Sequence, residues 1–142
     1  MIPEDEALES LAREYNIAAP QSMVEEEASM LEQELLCRLR YESLAGRVPP
    51  PEEVQAYKEG IPEEAARRVR TRLVVEKIIR DRNITVTSEE LTSEAQAAAH
   101  RQGMTLEQVK DFMGENLTLL RREIMERKAI KFARSAGSNQ ST

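Results

Sequence analysis

The sequence predicts an all-α protein, an elongated helical body with projecting antiparallel helical arms. Three observations carry this expectation. Leu, Ala, Glu and Arg, all strong helix formers, dominate the 142 residues. No stretch keeps the alternation of a half-buried strand, and "ITVT" (84–87) reads as a linker of β-like composition. The chain also builds one kind of corner twice, in "NIAAPQSMV" from Asn16 and in "NITVTSEEL" from Asn83. In each, an asparagine, which tolerates the left-handed conformation that ends helices, precedes an isoleucine and a short extended step. Thr87 with Glu90 three positions on reads as an N-cap and capping box; Pro20 takes that place in the first corner.

The elements follow in order. Residues 4–15 place Ala7, Leu8, Leu11, Ala12 and Tyr15 on one face of a short helix, which "NIAAP" ends. A long helix is expected over 21–45, broken at Gly46 and Pro49–Pro51. A short helix near 52–58 and the break "EGIP" come next, and Pro62 is placed to open a second long helix over 62–82. A helix over 88–102 ends at Gly103, Thr105 with Gln108 caps a short one at 106–113, and a last helix runs about 116–134. These pieces make one helical domain over 1–134: a connecting helix (4–16), a long hairpin arm (21–83), and a second arm with a closing helix (84–134). The polar stretch 135–142 reads as a disordered tail.

A shift of 67 residues superposes the corners: Asn16 falls on Asn83, Ile17 on Ile84, Glu27 on Glu94, Val24 on Leu91 and Ala28 on Ala95. The matching does not establish a duplication. It shows that each corner redirects one apolar-faced helix into another, with the isoleucine as the expected plug.

Composition narrows the function. Net charge is −6, which argues against nucleic acid as a direct partner. Residues 1–64 carry 16 acidic and 5 basic side chains, a balance of −11, and residues 65–142 carry 10 and 15, a balance of +5. The plain reading is that the two halves fold against each other, and the sharper alternative is a basic half that binds phosphate or anionic lipid. In a hairpin of 21–45 with 62–82, the acidic run 25–27 and the basic run 67–72 could face each other as weak surface pairs. No apolar run approaches a membrane span, so no membrane partner is expected. "MIPEDEALES" lacks the basic and apolar regions of a signal peptide, and a cytoplasmic location is expected. His100, at a helix end, has no second ligand at helical metal spacing, and Cys37 reads as a packed thiol. No glycine-rich phosphate loop is present, and neither nucleotide, metal nor other cofactor is expected.

The helix over 21–45 is apolar on two sides. Val24, Ala28, Leu31, Leu35 and Leu39 form one narrow stripe, and Met23, Met30, Cys37, Tyr41 and Leu44 form a second. The aliphatic stripe is assigned to the hairpin contact with Ala65, Ala66, Val69 and Leu73. The distal part of the methionine stripe is expected to face solvent. After Gly103, the short helix concentrates Met104, Leu106, Val109, Phe112 and Met113; Leu106, Val109 and Met113 share a face suited to burial, and Phe112 lies off it.

The ordered set "NIAAPQSMVEEE", "AARRVRTRLVVEKII" (65–79), "NITVTSEEL", "LEQVKDFM" (106–113) and "LLRREIMERKAIKF" (119–132) resembles the C-terminal domain of trigger factor, the bacterial ribosome-associated chaperone, over roughly residues 7–133. The periplasmic chaperone fold built from the same helices is similar. The resemblance implies an ATP-independent chaperone whose helical arms form a cradle for unfolded or nascent polypeptides. Ribosome contact and prolyl isomerase activity belong to other family domains, whose docking loop and β-rich fold are not found in this sequence; the chain reads as an excised domain or a stand-alone relative. Expected client-binding residues are Met30, Tyr41, Leu44, Met104, Val109, Phe112 and Met113, with no catalytic residue, and weak self-association is left open. The competing reading is a helical adaptor or structural protein that binds one folded partner. An enzyme ranks below both.

Overall fold

The computed structural model describes residues 3–114 and 117–140, the last four by their backbone alone. The described residues form six helices: α1 (Glu4–Glu14), α2 (Gln21–Leu44), α3 (Pro51–Asp81), α4 (Ser88–Gln102), α5 (Leu106–Met113) and α6 (Thr118–Gln140). No strand occurs among the described residues. The all-α expectation holds.

Both asparagine corners have the same backbone. Asn16 (φ 54°) and Asn83 (φ 52°) are left-handed. The Ile17 N–H donates to the Ala12 carbonyl at 2.9 Å and the Ile84 N–H to the Ile79 carbonyl at 3.0 Å. The Asn16 and Asn83 N–H groups reach Arg13 and Arg80 at 3.2 and 3.3 Å. This paired pattern satisfies the last helical carbonyls. Gly46 and Gly103 repeat it at the ends of α2 and α4, through Arg47 to Glu42 and Met104 to Ala99. Ile17 and Ile84 are half-buried at their corners.

Capping explains why α4 and α5 begin where the sequence places them. The Glu90 N–H donates to Thr87 Oγ1 (3.1 Å) while the Thr87 N–H donates to the Glu90 carboxylate (3.2 Å). Thr105 and Gln108 do the same at 3.1 and 2.8 Å. The Lys128 ammonium, 2.6 Å from Glu90, lowers that carboxyl's pKa first, and the Thr87 N–H adds to the effect.

Two expectations about helix extent are corrected. The chain does not break at "EGIP": α3 is continuous and Pro62 lies inside it. An interior proline forfeits one backbone hydrogen bond, a cost of about 3 kcal/mol. Burial of Ile61 and Ala65 on either side of Pro62, packed against Leu31, offsets it. At the other end, α6 continues through 135–140, where a disordered tail was expected; 141 and 142 lie outside the described residues. No proline follows Arg134, and extending a formed helix is far easier than nucleating one.

The chain forms two compact units, Glu9–Val74 and Met1–Leu8 with Val75–Thr142. In the first, Leu31 of α2 packs with Ile61 and Ala65 of α3, and Val24 and Ala28 lie against them. Glu27 is buried beside this contact, with Arg72 at 2.7 Å and Arg68 at 3.6 Å. The acidic and basic runs therefore meet through one dry carboxylate rather than a set of weak surface pairs, since Glu25 and Glu26 are exposed. Taking the arginines away from this buried carboxylate would leave it without a counter-charge, at a cost larger than the net worth of the contacts.

In the second unit, α4, α5 and α6 surround a core of Val86, Leu91, Ala95, Val109, Leu120 and Ile124, which also takes in Ala99 and Leu117. Leu117 enters this core with φ 53°, a conformation that costs a non-glycine residue about 1–2 kcal/mol. Arg121 and Lys128 of α6 donate to the Val86 and Thr85 carbonyls at 3.3 and 2.9 Å, so the extended step after Asn83 has its free carbonyls satisfied by α6.

Candidate functional site

Two apolar surfaces, one in each unit, are left after the cores are assembled. The first lies on α2. A helix in a two-helix hairpin has one face to bury, and the aliphatic stripe fills that role: Leu31 is 1% exposed and Leu35 3%. The other stripe is exposed beyond its half-buried first member, Met23. Met30 is 54% exposed, Tyr41 65% and Leu44 91%. Cys37, expected as a packed thiol, is exposed on the same stripe, because α3 covers only the aliphatic side.

The α2–α3 tip extends this surface. Val48 and Leu36 are largely exposed, and Tyr57 is partly so. The Arg38 guanidinium lies 4.8 Å from the centre of the Tyr57 ring, tying α2 to α3 by a cation–π contact near the tip. A cavity of about 800 Å³ opens there, lined by Leu39, Val48, Pro49, Val54 and Tyr57, with Arg47 and Glu42 paired at its edge at 3.0 Å. Leu36, Val48 and Tyr57 were not singled out in the sequence. Leu36 lies off both stripes, and Val48 and Tyr57 lie beyond the helix that periodicity describes.

The second surface is a groove of about 500 Å³ between α4, α5 and α6. Ala98, Met104, Val109, Met113 and Leu120 line it, and Phe112, 78% exposed, stands at its rim. Met104 and Met113 are half-buried, so their flexible thioethers are partly presented to the groove. Val109 needs correction as a contact residue. It is 4% exposed and belongs to the core, because its position faces α4 and α6, so it supports the groove from beneath. Arg127 bridges Glu94 (3.3 Å) and Glu123 (3.5 Å) along one edge.

The structure thus brings Met30, Tyr41 and Leu44 onto one surface and Met104, Phe112 and Met113 onto another. His100 is exposed at the end of α4. Among the described residues, no group of three or more His, Cys, Asp or Glu is placed to hold a metal ion, and no helix is long and apolar enough to cross a membrane. Glu64 is the carboxylate most strongly perturbed: the hydrogen bond from Arg67, joined by one from Arg68, outweighs desolvation and lowers its pKa from 4.5 to about 2. This cluster lies on one face of α3 and needs no ligand to account for it.

Comparison with known proteins agrees with the geometry. The family described as "Bacterial trigger factor protein (TF) C-terminus" matches residues 3–134. Proteins named trigger factor from Bacillus thuringiensis (strain Al Hakam), Bacillus mycoides (strain KBAB4) and Bacillus anthracis (strain A0248) are each 31% identical over 131 residues. The match covers 90% of this chain and 31% of each relative. No solved structure matches the chain. With a family match across nearly all of the sequence, and with the helices and corners that the resemblance implied in place, the chain belongs to the trigger factor C-terminal family.

Proposed function

We propose that this domain binds unfolded or nascent polypeptides through its two exposed apolar surfaces, without ATP, and so assists their folding. The carrying observation is the second stripe on α2, where Met30, Tyr41 and Leu44 are all more than half exposed on a helix whose opposite stripe is buried. Apolar surface of this kind binds segments that a folded client would bury, and unbranched methionine side chains adapt to many shapes. Binding is weak and broad because the contacts are side-chain contacts on helices with no fixed register.

The chain covers 31% of the length of the relatives above, so the wider activity of such a protein is part of the proposal. A parent protein of this family would carry ribosome contact and prolyl isomerase activity in other domains, in the cytoplasm, and this domain would supply client holding without catalysis. The test is suppression of aggregation of several unrelated chemically unfolded proteins, without nucleotide. Comparable protection of all of them supports the reading. Protection of none, with one folded partner bound at fixed stoichiometry, replaces it with an adaptor role.

A further inference from the structure

We infer that the chain builds one supersecondary unit twice, with α3 shared, and that in each copy a glutamate on the outgoing helix, clipped by an arginine on the returning helix, positions the arm. The role of the arm rests on the function proposed above; the repeated unit does not.

Two independent registers support the repeat. The first is the shift of 67. It carries Asn16 onto Asn83 with matching left-handed φ, and the Ile17 hydrogen bond onto that of Ile84 within 0.1 Å, from 2.9 to 3.0 Å. It carries buried Ala7 and Leu11 onto buried Val74 and Ile78. The second is a shift of 55 along the returning helices. It carries Ala65, Val69, Val74 and Ile78 of α3 onto Leu120, Ile124, Ala129 and Ala133 of α6, and all eight are buried. Helical period alone produces part of that agreement. It does not produce the pair Glu27–Arg72 and its counterpart Glu94–Arg127, which joins the two registers.

Glu9, on the incoming helix of the first copy, pairs with Arg70 at 3.2 Å. Its counterpart under the first shift, Glu76, pairs with Arg122 at 3.5 Å. Glu27, on the outgoing helix α2, pairs with Arg72 at 2.7 Å. Its counterpart Glu94, on α4, pairs with Arg127 at 3.3 Å, and Arg127 is the counterpart of Arg72 under the second shift. Both carboxylates are thus paired in both copies, and the Glu27–Arg72 clip keeps its partner's position as well; Arg70 falls on Met125 under the second shift, and Glu76 takes Arg122 instead. The shifts differ because the second copy has a shorter arm. It also differs in exposure: the Glu27 side chain is 8% exposed and Glu94 34%, so the carboxylate is buried in the first copy and partly wet in the second, while both arginines remain part-exposed. An arm fixed only at its corner would pivot there. A charge pair in the second turn of the outgoing helix restricts that pivot, and with it the position of the apolar stripe or groove.

The experiment has two parts. Glu27→Gln and Glu94→Gln are compared with the parent chain by amide hydrogen exchange and by affinity for reduced, carboxymethylated α-lactalbumin. Expected is faster exchange in residues 21–31 for Glu27→Gln, by about tenfold, and a smaller rise in residues 88–98 for Glu94→Gln, following the cost of unpairing a buried against a partly exposed charge. Each variant leaves the other arm unchanged, client affinity falls about threefold, and Glu94→Arg with Arg127→Glu restores both readouts. Unchanged exchange, unchanged affinity with faster exchange, or no recovery in the swapped pair overturns the positioning role. A parent chain that binds no client refutes the functional reading instead, and exchange still decides the clips. Independently, Ala18→Thr, Ala19→Val, Pro20→Thr and Met23→Glu place the second corner's sequence on the first. A melting temperature within about 5 °C of the parent supports equivalence, since a capping box contributes about 1 kcal/mol; a larger loss overturns it.

Discussion

Serine at Leu31 and Leu35 should unfold the hairpin of the first unit, whereas serine at Tyr41 and Leu44 should leave it folded and weaken client binding. Leu31 and Leu35 are 1% and 3% exposed on the face that meets α3. Truncating one such leucine costs about 2–5 kcal/mol, and a buried hydroxyl adds to this. Two of them, one turn apart, approach the whole stability of a small domain, about 5–15 kcal/mol. Tyr41 and Leu44 are 65% and 91% exposed, and such surface substitutions usually stay within about 0.5 kcal/mol. Their effect belongs to binding. A client covering about 50 Å² of apolar surface at each residue gains at most ~2.5 kcal/mol, and ordering costs reduce this, which leaves roughly a tenfold change in affinity. Circular dichroism melting gives the stability of each pair, and fluorescence anisotropy with a permanently unfolded client gives affinity per folded molecule. Equal destabilisation by both pairs, or unchanged affinity in the tip pair, refutes the division of α2 into a structural and a binding stripe.

Other consequences follow from particular residues. Asn83→Ala should lower the melting temperature, by about 1 kcal/mol of stability, and Asn83→Gly should not, because φ 52° penalises a Cβ that lacks asparagine's local hydrogen bonding; equal melting of the two variants would count against the corner geometry. Pro62→Ala restores a helical N–H inside α3 and should raise stability by about 1–3 kcal/mol in denaturant titration, with a fall contradicting the assignment of Pro62 to a helix interior. Glu64 has its pKa depressed to about 2 in the folded chain by Arg67 and Arg68. A depressed carboxyl contributes stability above its unfolded pKa and loses it as pH falls, so Glu64→Gln should flatten the decline in melting temperature between pH 4.5 and about 2. The effect should be small and salt-sensitive, because the Glu64 side chain is 38% exposed, and parallel melting curves for parent and variant would argue against it.

What the sequence made legible was local chemistry. Capping boxes at Thr87 and Thr105 place the starts of α4 and α5 to the residue, because a side chain that satisfies a backbone donor is written in the sequence beside it. The aliphatic and methionine stripes of α2 separate for a similar reason: a seven-turn helix samples its period many times. Nonlocal facts stayed hidden. Pro62 signals a break, and only the burial of Ile61 and Ala65 against Leu31 overrides it. Nothing in "EEE" distinguishes Glu27 from its neighbours until Arg68 and Arg72 of α3 are placed next to it. In the short helix α5, spacing sets Leu106, Val109 and Met113 on one face and Phe112 off it, but only the packing of α4 and α6 decides that Val109 alone of the three is fully buried. Leu117 gives no hint of its left-handed backbone, which serves the entry of α6 into the core.

The most direct test of the account is a methyl NMR titration of the chain, labelled at methionine and leucine, with an unfolded client. Binding through the two exposed surfaces predicts shifts or broadening at Met30 and Leu44 on α2 and at Met104 and Met113 beside the groove, with Leu31 and Leu35 unperturbed and several unrelated clients giving the same pattern. Perturbation confined to other sites, or no perturbation of Met30 and Leu44 under saturating client, would contradict it.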